Sequence, residues 1–258
     1  MPFCKIDDVK LYYEDYGIQD QLPLILLHGV MGNSESWKPQ VQHFRDKRRI
    51  VVFDLRGHGQ SDKPPEKYSI KQFSEDLFSF MKNLEIEKAI IAGHSMGGMI
   101  ALKFALDHQE MVERLILIDT AAKVSFGRKL LLSISKFLMN ISYESFVRRY
   151  ISITLRKSYS QSELEKAQEK VLKTPKYVAK SCFAAIKDFD VTSELASIQV
   201  PTFIVHGSED TQQPLSQAKY MKGQIPEAEL VIIEGAGHAA VIESPEKIWE
   251  AIEQFIRK

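Results

Sequence analysis

What most limits the fold of this chain is a rhythm of short, continuously apolar runs alternating with longer amphipathic stretches. "LPLILLHG" (22–29) and "RIVVFDLRG" (49–57) have the composition of strands buried on both faces. "KAIIAGHS" (88–95), "VERLILIDT" (112–120), "VPTFIVHG" (200–207) and "AELVIIEG" (228–235) repeat the pattern, and "VKLYYEDYG" (9–17) adds an aromatic strand. Between them, 69–84 sets Ile70, Phe73, Leu77, Phe80, Met81 and Leu84 on one helical face. Further helices are expected over 96–108, 212–223 and 244–258, the last with Ser244 as N-cap and Pro245 at its first position. Such alternation calls for a mainly parallel sheet with helices on both sides, its opening strands antiparallel across a short turn.

The rhythm breaks between 123 and 190. No buried strand is legible there, and helices such as 128–139 and 161–172 are expected. The 258-residue chain has a formal net charge of zero, but residues 123–187 hold 14 Lys and Arg against 4 Glu, about +10. The division expected is therefore a core of 1–122 and 191–258, with 123–190 as a helical cap over the carboxyl ends of the strands. Ligands bind at that edge in open α/β sheets. Phe126, Leu130, Leu131, Ile134, Phe137, Leu138 and Met139 recur at helical spacing and are expected to pack onto the core.

At 93–97 the chain reads Gly-His-Ser-Met-Gly, a G-x-S-x-G pattern. Alone it is weak, since chance gives roughly 0.1 such match per chain of this size. Its setting, with an apolar run before and an amphipathic helix after, is what a nucleophile elbow requires. A sharp strand-to-helix turn pushes the Ser95 hydroxyl into the cleft, and glycine stands where side chains would clash. The helix then aims its free amides at the point where an oxyanion would form.

In that architecture the acid and then the histidine follow the nucleophile. His206 ends a strand with an acid still to come, whereas His238, in "EGAGHAAV", leaves room for one. Asp210, in "HGSEDTQQP", is the expected acid; Glu209 is its neighbour, and Asp119 at the end of "LILID" is a rival whose expected role is structural. The oxyanion donors expected are the amides of Met96 and of Val30, after "LILLHG". Such a site works only while its histidine is neutral, so activity is expected to fall in acid.

"HGVMGN", "DLRGHGQSD", "GHSMGG", "GSED" and "GAGH" occur in the order found in α/β-hydrolases, and the sequence resembles that superfamily from about residue 3 to 256. Within it, "DLRGHGQSD" resembles the loop after the fourth strand in small serine esterases, enol-lactonases and cofactor-free haloperoxidases. The resemblance implies an α/β-hydrolase fold with a mostly parallel eight-stranded sheet and a helical cap. It implies Ser95, Asp210 and His238 as catalytic residues, with His28, Gly29 and His94 against the substrate. His58 is expected to be structural. Dehalogenases and epoxide hydrolases of this fold carry aspartate where Ser95 stands. The activity implied is hydrolysis of small to medium carboxylic esters, lactones or thioesters through an acyl-enzyme. Carbon–carbon bond hydrolysis, perhydrolysis and ligand sensing on the same site are the alternatives.

Composition agrees with a single enzyme of this kind. Hydrophobic residues at 44% and charged residues at 26% are ordinary for a globular domain. Zero net charge argues against nucleic acid as a bulk partner. Cys4 and Cys182 give no disulfide framework and no paired metal-ligand spacing, which fits a reducing, cytoplasmic setting. The acyl-enzyme chemistry needs no metal and no cofactor, and none is expected. No signal peptide is expected from "MPFCKIDDVKLYY", and no apolar run reaches the length of a membrane span. The partner expected is a small acyl substrate. Arg148–Arg149 or Arg156–Lys157 are candidate contacts for an acidic one.

Overall fold

The computed structural model describes residues 2–155 and 159–257. Its centre is one sheet of eight strands: β1 (Phe3–Ile6), β2 (Val9–Tyr16), β3 (Leu24–Leu27), β4 (Ile50–Phe53), β5 (Ala89–His94), β6 (Val112–Ile118), β7 (Thr202–Gly207) and β8 (Glu229–Ile233). Their spatial order is β1-β2-β4-β3-β5-β6-β7-β8. β1–β2 and β2–β4 are antiparallel, and every later pairing is parallel. The first strand, Phe3–Ile6, buries Cys4 and Ile6, exposes Phe3 and Lys5, and pairs antiparallel with β2.

Strand periodicity divides the apolar residues between two layers. Ile25, Leu27, Val51 and Phe53 point to one face; Leu24, Leu26, Ile50 and Val52 point to the other. On the first face lie α2 (Ile70–Asn83), α3 (Met96–Asp107) and α8 (Leu215–Gln224). The Ser69 hydroxyl caps α2 by accepting the Gln72 amide, and Phe80 stacks on Phe53 at 4.6 Å. On the second face lie α1 (Lys38–Phe44), α9 (Ala240–Glu243) and α10 (Pro245–Ile256), with Trp37, Phe44, Ile252 and Phe255 buried against the strands.

β3 leads outward to β4, and the chain then crosses back over β3 to β5. The loops leaving β3 and β5 therefore part company at the carboxyl edge, which opens a crevice between them. Val30 follows β3 and Ser95 follows β5.

Between β6 and β7 the chain forms four helices: α4 (Phe126–Ile141), α5 (Tyr143–Thr154), α6 (Gln161–Leu172) and α7 (Lys176–Asp188). They pack in the order α7–α4–α5–α6. A bridge between Lys123 and Asp190, and the Val191 amide donating to the Ala122 carbonyl, tie the two ends of this segment together. α4 does not pack as its periodicity suggests. Leu132 and Met139 are its buried residues, whereas Phe126 is 87% exposed and Leu130, Leu131, Ile134, Phe137 and Leu138 are exposed as well. The helix meets α5 and α7 through its narrower side and turns its broad apolar stripe outward. Among the described residues no helix is long and apolar enough to cross a membrane.

Candidate active site

Ser95 stands alone between β5 and α3, with φ of 54° and ψ of −116°. A side-chain-bearing residue in that region is strained and persists only where its neighbours fix it. Here the Ser95 amide donates to the Ile118 carbonyl at 2.9 Å. Its own carbonyl accepts from the Thr120 hydroxyl at 2.7 Å and from the Gly98 and Met99 amides. The glycines around it are demanded by space. A Cβ on Gly93 would enter the carbonyl of Gly97, and one on Gly97 would enter the carbonyl of Leu27. Gly98 is equally confined, since a Cβ there would stand 2.6 Å from the Thr120 side chain.

The loops after β7 and β8 bring two further groups to this point. His238 Nε2 lies 2.9 Å from Ser95 Oγ, and His238 Nδ1 lies 2.7 Å from Asp210 Oδ2. A carboxylate only accepts, so Nδ1 carries the proton and Nε2 is left to accept from the serine hydroxyl. The other Asp210 oxygen accepts the amides of Gln212 at 2.7 Å and Gln213 at 2.9 Å. Burial pushes the Asp210 carboxyl up, but His238 and the two amides outweigh it and hold it below its ordinary value. A hydroxyl, an imidazole and an orienting carboxylate in this sequence are the parts that activate a serine nucleophile.

The amides of Val30 and Met96 donate no hydrogen bond among the described residues. Both residues line a small cavity of about 20 Å³ together with Ser95. Gly29 is tight against the elbow, its missing Cβ position 3.3 Å from the Ser95 Cβ. His94 borders the larger cavity and donates Nε2–H to the His238 carbonyl at 2.7 Å, which steadies the loop carrying that imidazole. Burial, then the neighbouring His238, push His94 down to about 3, so it works as a neutral donor.

His28 is not at the cavity, contrary to the sequence expectation. It is fully buried, Nδ1 donates to the Gly29 carbonyl at 2.8 Å, and Nε2 accepts the Leu55 amide at 3.1 Å. The ring turns inward because it pins the 28–32 turn to the loop after β4. His58 is also buried, with its ring 5.1 Å from that of His28. Asp54 completes this bracket by accepting the amides of Ser34 and Gln60, both at 2.7 Å.

Asp119, His206 and Asp210 form a buried trio that the sequence reading did not assemble, their ligand-type atoms lying within 4.8 Å of one another. Both Asp210 oxygens are already engaged by His238 and the two amides. Asp119 Oδ1 accepts the Gly207 amide at 2.8 Å, which ties β6 to the end of β7, while Oδ2 has no partner. Burial, and then the charge of Asp210, raise the Asp119 carboxyl well above its ordinary value. The folded protein thus holds this proton to a higher pH than the unfolded chain does, so stability declines as pH rises from the ordinary carboxylate range through the folded value. An asparagine in its place cannot ionise yet keeps an oxygen for Gly207. The Tm of Asp119→Asn relative to wild type is therefore expected to rise between roughly pH 4 and pH 8. A constant difference across thermal melts at both pH values would contradict this.

A cavity of about 510 Å³ opens from Ser95 and His238. Its walls are mainly apolar, with Val30, Tyr150, Ile151, Leu155, Val171 and Ile242 among them. Arg148 does not serve it. The guanidinium bonds Glu144 on its own helix and Gln168 on the neighbouring α6. Arg149 is exposed, and Arg156 and Lys157 lie outside the described residues. Tyr150, Arg128 and Thr120 are site residues that sequence reasoning missed. Thr120 had a legible signal, directly after Asp119 at the end of a strand neighbouring the elbow.

Comparison with known proteins agrees with this architecture. A family model described as alpha/beta hydrolase fold matches residues 23–245. The AB hydrolase superfamily protein YisY of Bacillus subtilis is 33% identical over 268 residues, covering 96% of this chain and 96% of that protein. The 3-oxoadipate enol-lactonase 2 of Acinetobacter baylyi is 26% identical, covering 97% and 94%. The solved structure of an esterase from Exiguobacterium antarcticum superposes with a TM-score of 0.92 at 25% identity, covering 99% of both chains.

Proposed function

We propose that this chain, which belongs to the alpha/beta hydrolase fold family, is a serine hydrolase that cleaves small to medium carboxylic esters, lactones among them, through an acyl-enzyme. The observation that carries the proposal is the unbroken chain Ser95–His238–Asp210 at 2.9 and 2.7 Å, on a strained elbow. His238 takes the Ser95 proton as the oxygen attacks the acyl carbon. Asp210 holds the imidazole in the useful tautomer and stabilises its cation. The Val30 and Met96 amides receive the oxyanion, each worth about 2.7–4 kcal/mol by the usual cost of losing such a donor. His238 then protonates the departing alcohol, and water enters by the same route to release the acid. The enol-lactonase and esterase among the similar proteins support acyl chemistry on this frame.

Residues 123–190 act in this reading as a cap that shapes the substrate. The larger cavity is lined by His238 and the smaller one is not. The leaving alcohol must receive its proton from His238, so it occupies the larger cavity. The acyl group points into the smaller one, which at about 20 Å³ has room for only a few atoms. p-Nitrophenyl acetate is therefore expected to turn over faster than the butyrate, and the butyrate faster than the octanoate. Release no faster than in buffer for all three would overturn the hydrolase assignment. A preference for octanoate would reverse the placement of the two halves.

A further inference from the structure

Arg128 is an anomaly in this site. It lies on the inner side of α4 and lines the small cavity with Ser95 and Met96, while Met99, Leu132 and Phe183 make much of the remaining wall apolar. Its Nε is buried and has no hydrogen-bond partner. One Nη2 contact reaches Gln212 Oε1 at 3.4 Å, at the limit of a hydrogen bond. No Asp or Glu among the described residues pairs with it. Beyond Gln212 it feels the Tyr150 phenol and, less strongly, the carboxylate of Asp210, whose oxygens are already engaged.

Arg56 shows how the same chain treats a structural arginine. There Nε and Nη2 grip Asp76 at 2.7 and 2.6 Å, and Nη1 takes Glu66. An unpaired guanidinium beside apolar walls is costly, and the cost is lifted when a carboxylate arrives. The Nε–Nη2 edge that is filled by a carboxylate in Arg56 holds in Arg128 only the 3.4 Å contact of Nη2 with Gln212, and Nε has no partner.

We propose that Arg128 is a carboxylate receptor in the acyl chamber, so that the preferred substrates are esters of short dicarboxylic acids in which the second carboxylate is free. This rests on the serine-hydrolase reading and on placing the acyl group in the smaller cavity. The chamber limits the acid to a malonyl-sized group, and the larger apolar cavity takes an uncharged alcohol. The seat lies within the cavity wall on α4, not on the exposed Arg148–Arg149 pair of α5.

The test compares benzyl hydrogen malonate with benzyl butyrate, a neutral ester of similar bulk, by chromatography of the benzyl alcohol released. The wild type is expected to favour the malonate by about 10- to 100-fold in kcat/KM, the range of a hydrogen bond to a charged group. In Arg128→Met that ratio falls to one or below. In Arg128→Lys, which keeps charge but loses the fork, it falls part of the way. The wild-type ratio requires no variant, so it stands even if a variant fails to fold. Equal use of both esters by the wild type would overturn the role of Arg128 and leave the serine-hydrolase reading intact. No cleavage of either ester above the rate of Ser95→Ala would overturn that reading itself.

Discussion

Replacing Ser95 with alanine is expected to lower ester turnover by about 10⁴- to 10⁶-fold, the range found when the nucleophile of a serine triad is removed. The fold should survive, because the elbow is fixed by backbone groups. The Ser95 amide and carbonyl bond Ile118, Thr120, Gly98 and Met99, and none of these bonds uses the Ser95 hydroxyl. Alanine must still occupy φ of 54°, so a modest fall in Tm is consistent with the account. A variant that folds normally and retains more than about one-hundredth of wild-type activity would exclude Ser95 as the nucleophile.

The second large effect is expected at Asp210. Asp210→Asn should lower kcat by about 10⁴-fold through the tautomer of His238. The amides of Gln212 and Gln213 point at Oδ1 and will select the oxygen of an asparagine for that place. Its NH₂ group is then left facing Nδ1, which must accept. The proton moves to Nε2, and the imidazole presents a donor to Ser95 where it needs an acceptor. Substrate binding should change little, so the loss belongs in kcat and not in KM. Asp119→Asn, at a carboxyl that bonds the Gly207 amide, should show no comparable loss of turnover. Equal losses in the two variants would mean that the carboxylates share the orienting task.

Sequence brought Ser95, His238 and Asp210 together, as the structure does at 2.9 and 2.7 Å, because turn chemistry and chain order constrain them. Glycine at 93 and 97 is required by the carbonyls it would otherwise strike, and that requirement is local. Asp210 and His238 follow from the loops after the last two strands, where the parallel sheet delivers them to the same edge as Ser95. What sequence did not give is the direction in which a side chain or a helix face turns. His28 sits in the right loop but bonds inward to Gly29 and Leu55. α4 has a clear apolar stripe, yet periodicity reveals only that a face exists and not which neighbour covers it. Its buried side is the narrower one, with Leu132 and Met139. The same limit hid Arg128. In sequence it is one of 14 basic residues in a basic segment, and only the packing of α4 shows that its Nε is buried without a partner.

The central claim is that Ser95 forms a covalent acyl-enzyme, and fluorophosphonate labelling tests it most directly. The reagent needs a serine already activated by its histidine and an oxyanion site that accepts the phosphoryl oxygen. Peptide mass spectrometry should find one adduct per chain, on the peptide containing Ser95, with ester turnover lost in proportion to labelling. An adduct on another residue, or unimpaired turnover after Ser95 is fully labelled, would contradict the account.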